Sequence, residues 1–284
     1  MKRQNLVIVR AGDSSLHPEW LEGAGAEARN WDIIVNYFGN DPDKYRNGDV
    51  MRIDSKGPKW PALYELIRSH TELVSGYERV WLPDDDLRCA CGDVNRLFEI
   101  FEREKLELAQ PSLRPESYVS HMVTLHNPRF YLRYTNFIEV MAPLFTRDSL
   151  EKLLPTFNDS MSGWGLDYAW AQLLGPAGAQ VAIIDDVQVL HTRPVGAANY
   201  GALKAKGISA WDENDAALRK YGITRRAIVI SRAKIRGTNR EIPRGGRLLW
   251  LYSIGLLSAG RHFQAGFGGF MHGWLSAIKH QLRN

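Results

Sequence analysis

Hydrophobic positions in the first two hundred residues of this 284-residue chain follow two alternating periods. Short apolar runs that end in turn residues, "NLVIVRAG", "DIIVNYFG" and "YERVWLP", predict buried strands. Elsewhere the spacing is helical: Trp60, Leu63, Leu66 and Ile67 share a face in "KGPKWPALYELIRSH", as do Val94, Leu97, Phe98 and Phe101 in "DVNRLFEIFEREK". Further strands are predicted at "LELAQPSL", "YVSHMVTL" and "FIEVMAPLF". "TRDSLEKLL" predicts a helix capped by Thr146, and "GLDYAWAQLLG" one stopped by Gly175. "QVAIIDDVQVLHTRP" reads as a strand, a tight turn and a second strand. This alternation predicts an α/β fold with a mixed, mostly parallel sheet flanked by helices. Ligands in such sheets gather at the carboxyl ends of the strands.

Charge divides the chain. Residues 201–284 carry 15 Lys/Arg against 4 Asp/Glu, whereas residues 1–200 carry 21 against 28. Two parts are therefore expected, a sheet domain over 1–204 and a basic amphipathic helical appendage over 205–284. In the appendage, "WDENDAALRKYGITRRAIV" predicts a helix and "SRAKIRGTNREIPRGGR" a basic linker. "LLWLYSIGLLSAG", at 13 residues, is too short to span a bilayer but suits a helix lying in its interface. Residues 235–284 thus have two readings, an element attracted to an anionic membrane surface or a helical pair packed on the domain or on a second subunit. No recognition motif accompanies the basic charge, so no nucleic-acid partner is expected. Cys89 and Cys91 make no disulfide framework and have no second pair at zinc-finger spacing. With only a four-residue apolar run before Arg10, too short for a signal peptide, the expected location is cytoplasmic, peripheral on the membrane's inner face where membrane contact exists.

Three stretches can carry chemistry: "LPDDD", "GWGLDY" and "VLHTRP". Adjacent carboxylates repel, so Asp84, Asp85 and Asp86 form either a solvated turn or a cation site. Where a strand ends, Asp84 and Asp86 point one way and Asp85 the other, which suits a hard divalent ion. His191 also leaves a strand, as a hydrogen-bonded structural residue or as a ligand that would tilt the metal from magnesium toward manganese. Arg193 beside it can hold a phosphate with paired N–H donors. Trp164 can stack on a sugar ring and Asp167 accept a hydroxyl proton, unless they are a core residue and an acid favoured by the helix dipole.

In this order the blocks "KGPKW", "VWLPDDD", "QPSL…SYVSH", "NFIEVMAPLF", "GWGLDYAW" and "HTRP" resemble the family known as domain of unknown function 707, and more widely the glycosyltransferase-A fold, over roughly residues 5–200. The resemblance implies a nucleotide-sugar donor whose diphosphate is bridged by a divalent metal, manganese rather than magnesium, on Asp84, Asp86 and His191. It implies Asp167 as the base of an inverting transfer to a glycan or lipid-linked acceptor, in cell-surface polysaccharide synthesis. Donor contacts are expected at Arg10, Asp13 and Lys56 by position, and at Asp85 and Arg193; acceptor contacts are expected at Trp164 and Gly165. His121 and Glu139 fall in matched blocks without a role, Glu139 alternatively being a buried partner of Arg133 or Arg147. The competing functions are a nucleotidyl- or phosphotransferase on the same metal and a non-catalytic binder of sugar nucleotides or glycans.

Overall fold

The computed structural model describes residues 3–23, 25–46, 50–175, 180–194, 207–224, 227–238 and 240–282. The strands are β1 (Asn5–Ala11), β2 (Trp31–Tyr37), β3 (Met51–Asp54), β4 (Arg79–Trp81), β5 (Leu87–Arg88), β6 (Leu108–Leu113), β7 (Phe130–Thr135), β8 (Leu144–Thr146), β9 (Val181–His191), β10 (Ile230–Ile235) and β11 (Glu241–Pro243). They form one sheet in the order β11-β10-β7-β9-β6-β8-β4-β1-β2-β3, with β5 paired to β9 beside it. Parallel pairing runs through β3-β2-β1-β4 and between β6 and β9. The remaining pairs are antiparallel, so the C-terminal half is less parallel than its sequence suggests.

Helices cover both faces, and the alternation of side chains along β1 shows how. Leu6 and Ile8 enter the core formed with α1 (Lys59–Ser69), α4 (Arg147–Leu153) and α5 (Leu166–Leu174); Val7, Val9 and Ala11 enter the one formed with α3 (Cys91–Arg103). The short α2 (Thr71–Val74) follows α1. Thr146 caps α4 by accepting from the Ser149 N–H at 3.1 Å, and Gly175 ends α5 at φ +146°, both where the sequence set them. Cys89 and Cys91 are buried free thiols.

The appendage is less separate than its charge implies. The expected boundary at 204/205 lies outside the described residues, but the basic "linker" beyond it supplies β10, which pairs with β7, and β11. Arg232 is held there over the Tyr134 ring and against Glu241, so strand pairing gives its charge partners that a linker would lack. Helix α6 (Ala210–Lys220) lies against α5. Helices α7 (Gly246–Leu257) and α8 (Gly266–Leu282) place Leu248, Tyr252, Leu256 and Phe270 in the same core as α1 and α5.

Three sequence expectations change. "YVSHMVTL" contains no strand but a 3-10 turn at Met122–Thr124, because the Thr124 hydroxyl and N–H both bond the His121 carbonyl. In "FIEVMAPLF" only Leu144 and Phe145 reach a strand; the rest is a loop in which the Glu139 N–H donates to Gln110 Oε1 at 2.6 Å. β9 runs unbroken where a turn was expected. Its register against β6 jumps from Pro111↔Ile184 to Ser112↔Gln188, leaving Asp185–Val187 as a bulge. Asp185 is wholly buried and takes two bonds from Arg133, at 2.6 and 2.8 Å. Arg133 also donates to the Val123 and Leu125 carbonyls, tying the 118–125 segment to the sheet. Arg133→Met, which strands a buried carboxylate, is expected to destabilise the fold by about 3–5 kcal/mol in urea denaturation. Pairing it with Asp185→Leu is expected to recover most of that loss.

Candidate active site

The three aspartates follow β4 at the carboxyl edge of the parallel strands and are pinned from several sides. The Asp84 N–H donates to the Met141 carbonyl at 2.8 Å, and Arg10 and Asp84 form a parallel bridge. The Asp85 carbonyl accepts from the Leu16 N–H at 2.7 Å, and the Asp86 carbonyl from Thr192 Oγ1 at 2.8 Å. Their side chains then diverge, each to its own cation.

Asp84 Oδ1 is held by Lys59 Nζ at 2.6 Å, and the same ammonium donates to the Val140 carbonyl at 2.9 Å. Asp85 accepts from the Gly12 N–H at 2.8 Å through Oδ2 and faces Arg193 at 3.3 Å through Oδ1. Asp86 Oδ2 meets His191 Nε2 at 3.3 Å, while Asp86 Oδ1 is buried without a partner. The mutual repulsion that the sequence raised is thus offset one carboxylate at a time. Burial still lifts Asp85 to about 6, against the Gly12 N–H and Arg193, and lifts Asp84 as well, with Lys59 opposing and Asp86 adding to the rise.

His191 ends β9, where its main chain pairs with Leu87 of β5. Its Nδ1 lies 2.8 Å from the Tyr118 carbonyl and must donate there, which leaves Nε2 aimed at Asp86. Burial pushes the imidazole down, but Asp86, the Tyr118 carbonyl and Asp84 outweigh it and raise the pKa to about 9. Two facing acceptors, a carboxylate oxygen and a ring nitrogen, need a proton or a metal ion between them. With Nδ1 anchored and Asp86 Oδ1 orphaned, these two residues fit a divalent cation. Among the described residues no three His, Cys, Asp or Glu side chains are grouped closely enough to hold a metal. The expected trio is therefore a meeting pair, Asp86 and His191, with Asp84 turned to Lys59.

Asp167 opens α5. The Gly165 N–H at 3.2 Å and the Tyr168 N–H at 2.9 Å both donate to its Oδ1. It is 6% exposed, and burial, then the charge of Glu139, raises it to about 7. Gly165 has φ +90°, and a Cβ there would lie 2.7 Å from that of Ala217. It shapes the turn that presents Asp167 and is packed against α6. Trp164 stands edge-on to Trp211 with ring centres 4.9 Å apart.

Glu139 links the two halves of the site, and sequence reasoning gave it no role. Burial raises it to about 7; His191 lowers it, Asp84 raises it, and it in turn raises Asp167. Its Oε2 is buried without a partner. Arg133 is taken by Asp185 and Arg147 by Glu78, so neither expected partner holds Glu139. Lys59 was also missed; its signal is a second lysine, three residues after Lys56, at the first position of α1.

The residues expected at the donor by position alone are bonded within the protein. Arg10 donates to Asn36 Oδ1, the Ser55 hydroxyl and the Ser55 and Gly57 carbonyls; burial lowers it to about 10. Asp13 accepts from Tyr37 and the Asn40 and Asp41 N–H groups. Lys56 Nζ donates to the Phe38 and Gly39 carbonyls and to Asn40. Together they fix the loops beside Asp85.

This sheet, with acids at its carboxyl edge, is a glycosyltransferase-A-like fold, and two solved structures are among those it resembles. One is GalNAc-T7 with UDP, GalNAc and Mn2+, at 9% identity and TM-score 0.50, covering 75% of this chain and 50% of that one. Another, from Desulfovibrio desulfuricans G20, is provisionally assigned as a nucleotide-diphospho-sugar transferase, at 14% identity and TM-score 0.41, covering 78% of this chain and 99% of that one. Residues 132–234 match the family described as "Protein of unknown function (DUF707)". That span includes Asp167 and His191, excludes residues 84–86 and runs past 204 through most of β10. No curated protein matches the chain.

Proposed function

We propose that the protein is a metal-dependent, inverting glycosyltransferase that moves a sugar from a nucleotide-sugar donor to a glycan or lipid-linked acceptor in cell-surface polysaccharide synthesis. The observation that carries this reading is the 3.3 Å meeting of Asp86 and His191 from chain-distant segments, at the strand ends and coupled through Glu139 to Asp167. GalNAc-T7, of like fold, was solved with UDP and Mn2+. A divalent ion on Asp86 and His191, with Asp84 joining once Lys59 releases it, would supply Lewis-acid neutralisation of the departing diphosphate, and the imidazole favours manganese.

The chain's own groups complete the reaction. Arg193 and Lys59 offer N–H donors to phosphate oxygens, and Asp85 orients Arg193. Arg10, Asp13 and Lys56 hold the donor-side loops. Asp167 takes the acceptor hydroxyl's proton as that oxygen bonds the anomeric carbon and the diphosphate leaves with the broken bond's electrons. Trp164 and Trp211 offer rings to the acceptor. A simple binder would have no need of a base. The test is a thermal-shift series of UDP-, GDP-, CDP- and dTDP-sugars with and without manganese. A metal-dependent rise with one nucleotide class is expected; no rise with any of them sinks the proposal.

The membrane-facing role rests on α7 and α8. Their inner sides are in the core, while Trp250, Leu257, Phe267, Leu275 and Leu282 are exposed. Residues 242–284 contain no Asp or Glu. No described helix is long and apolar enough to cross a membrane. Flotation with phosphatidylglycerol vesicles is expected for the native protein and lost in Trp250→Asp/Leu275→Asp. Equal flotation of the two would leave these helices without that role.

A further inference from the structure

Helix α6 is bonded near both ends to the segment that carries Asp167. In its first turn Glu213 accepts from the Met161 N–H at 2.8 Å through Oε1, and from the Ser162 N–H at 2.8 Å and the Ser160 hydroxyl at 3.0 Å through Oε2. At its far end Lys220 Nζ and the Tyr221 hydroxyl donate to Asp159, and the Tyr221 carbonyl accepts from Gln172 at 2.9 Å. Successive donors turned on one point make an anion-binding concavity, filled here by a carboxylate 51 residues beyond Ser162. From there hydrogen bonds continue to the base. The Ser160 hydroxyl accepts from the Gly163 N–H at 2.8 Å, Ser162 Oγ from the Trp164 N–H at 3.1 Å, and Asp167 Oδ1 from the Gly165 N–H at 3.2 Å. Gly163 at φ +83° and Gly165 at φ +90° impose no conformation of their own, so this loop must be fixed from outside. It is wedged between α1 and α6: a Cβ on Gly163 would lie 2.2 Å from Trp60 Nε1, and one on Gly165 2.7 Å from the Ala217 Cβ.

We propose that Glu213 is a positioning residue for the transfer: from α6 it fixes the 160–165 loop, and through that loop the Asp167 carboxyl and the Trp164 ring, toward the acceptor. This rests on the glycosyltransferase reading and adds α6 to its acceptor side. Trp211, two residues before Glu213 and 63% exposed, is carried on the same helical turn and stands against Trp164, so one anchor sets both rings and the base. The helix dipole would favour an acid at 213 wherever its oxygens pointed, and both point to the loop. Asp86 and His191, at the exits of β4 and β9, make none of these bonds. Glu213 therefore bears on the step that Asp167 performs and leaves the donor's ion alone.

The test uses the full-length protein with two substitutions. Glu213→Gln keeps the side chain's size but sets an NH2 donor against a loop donor, and Ser160→Ala removes the hydroxyl between Glu213 and the Gly163 N–H. Hydrogen exchange at the Gly165 and Tyr168 N–H groups, read by NMR, should quicken about tenfold in both, the scale of one hydrogen bond. A Glu213 that merely fastens its own helix would quicken exchange at 160–163 or within α6 and leave those two amides unchanged. With the nucleotide sugar that stabilises the native protein, and methyl glucoside, galactoside and mannoside as acceptors, kcat should fall by a similar factor at an unchanged donor KM. Unchanged exchange at Gly165 and Tyr168, or an unchanged kcat, overturns the proposal. The manganese-dependent nucleotide-sugar shift should persist in both variants, and its loss there would move Glu213 to the donor side and overturn the proposal too. Absence of that shift from the native protein would instead sink the glycosyltransferase reading, while exchange at the two amides would still report whether Glu213 governs the loop.

Discussion

Asp86→Asn is expected to remove the manganese-dependent stabilisation by nucleotide sugar and to cut turnover by roughly 10³-fold, the scale of losing a preorganised electrostatic contact to a departing charge. The reason is geometric. Asp86 presents one oxygen to His191 and keeps the other buried and unbonded, so the amide would leave His191 facing a weaker, uncharged acceptor. The same substitution should shift the titration of His191. Its raised pKa of about 9 depends chiefly on Asp86 overcoming burial; without that charge, burial is opposed only by the Tyr118 carbonyl and Asp84, and the pKa should fall. Nitrogen-detected NMR of the imidazole reads this directly. A divalent ion held by the proposed pair would have to displace the proton between them, so manganese affinity in the native protein should strengthen as pH rises toward 9. Affinity that is flat between pH 6 and 9 would remove His191 from the ligand set.

The second large effect is a trade of stability for activity at Asp167. Its folded pKa, about 7, lies above the unfolded value of 3.8. A carboxyl raised in this way contributes most to stability below pH 3.8, and that contribution is lost as pH rises through 7. Asp167→Asn keeps an acceptor for the Gly165 and Tyr168 N–H groups and carries no charge to bury. Unfolding measured at pH 8 should therefore show the variant more stable by about 2–4 kcal/mol, at about 1.4 kcal/mol per pKa unit, with the difference nearly gone at pH 4. Turnover should fall about 10²–10⁴-fold, and native kcat/KM should rise with pH to a limb near 7. Glu139, also near 7, is the competing base. A larger loss in Glu139→Gln than in Asp167→Asn would transfer the role to it. A product that retains the donor's anomeric configuration would dismiss both as bases of a single displacement.

What the sequence disclosed follows from how locally each feature is encoded. Strands β1, β2 and β4 announce themselves because each apolar run is contiguous, and α1, α3 and α5 because their stripes are. β7 was hidden because Arg133 interrupts its apolar run, and only the distant Asp185 makes that arginine a core residue. The same pair disguised β9 as two strands. At the site, Asp86, His191 and Asp167 could be chosen because each stands where an element begins or ends. Lys59 and Glu139 were passed over: their importance lies in whom they meet, Asp84 in one case and His191, Asp84 and Asp167 in the other. Arg10 shows the reverse case. Its place after an apolar run suggested substrate, and in the fold Asn36, Ser55 and Gly57 take its terminal N–H groups while Nε stays buried without a partner.

The three-residue arch at Asp185–Val187 has a bearing on descent. Before it, β9 is fastened to the centre of the molecule; after it, the strand runs four residues to His191. Asp185 and Val187 are buried, so an insertion or deletion in the arch would slide that imidazole along its neighbours only by breaking the Arg133 contact. A lineage that altered the arch would therefore have to repack its interior as well.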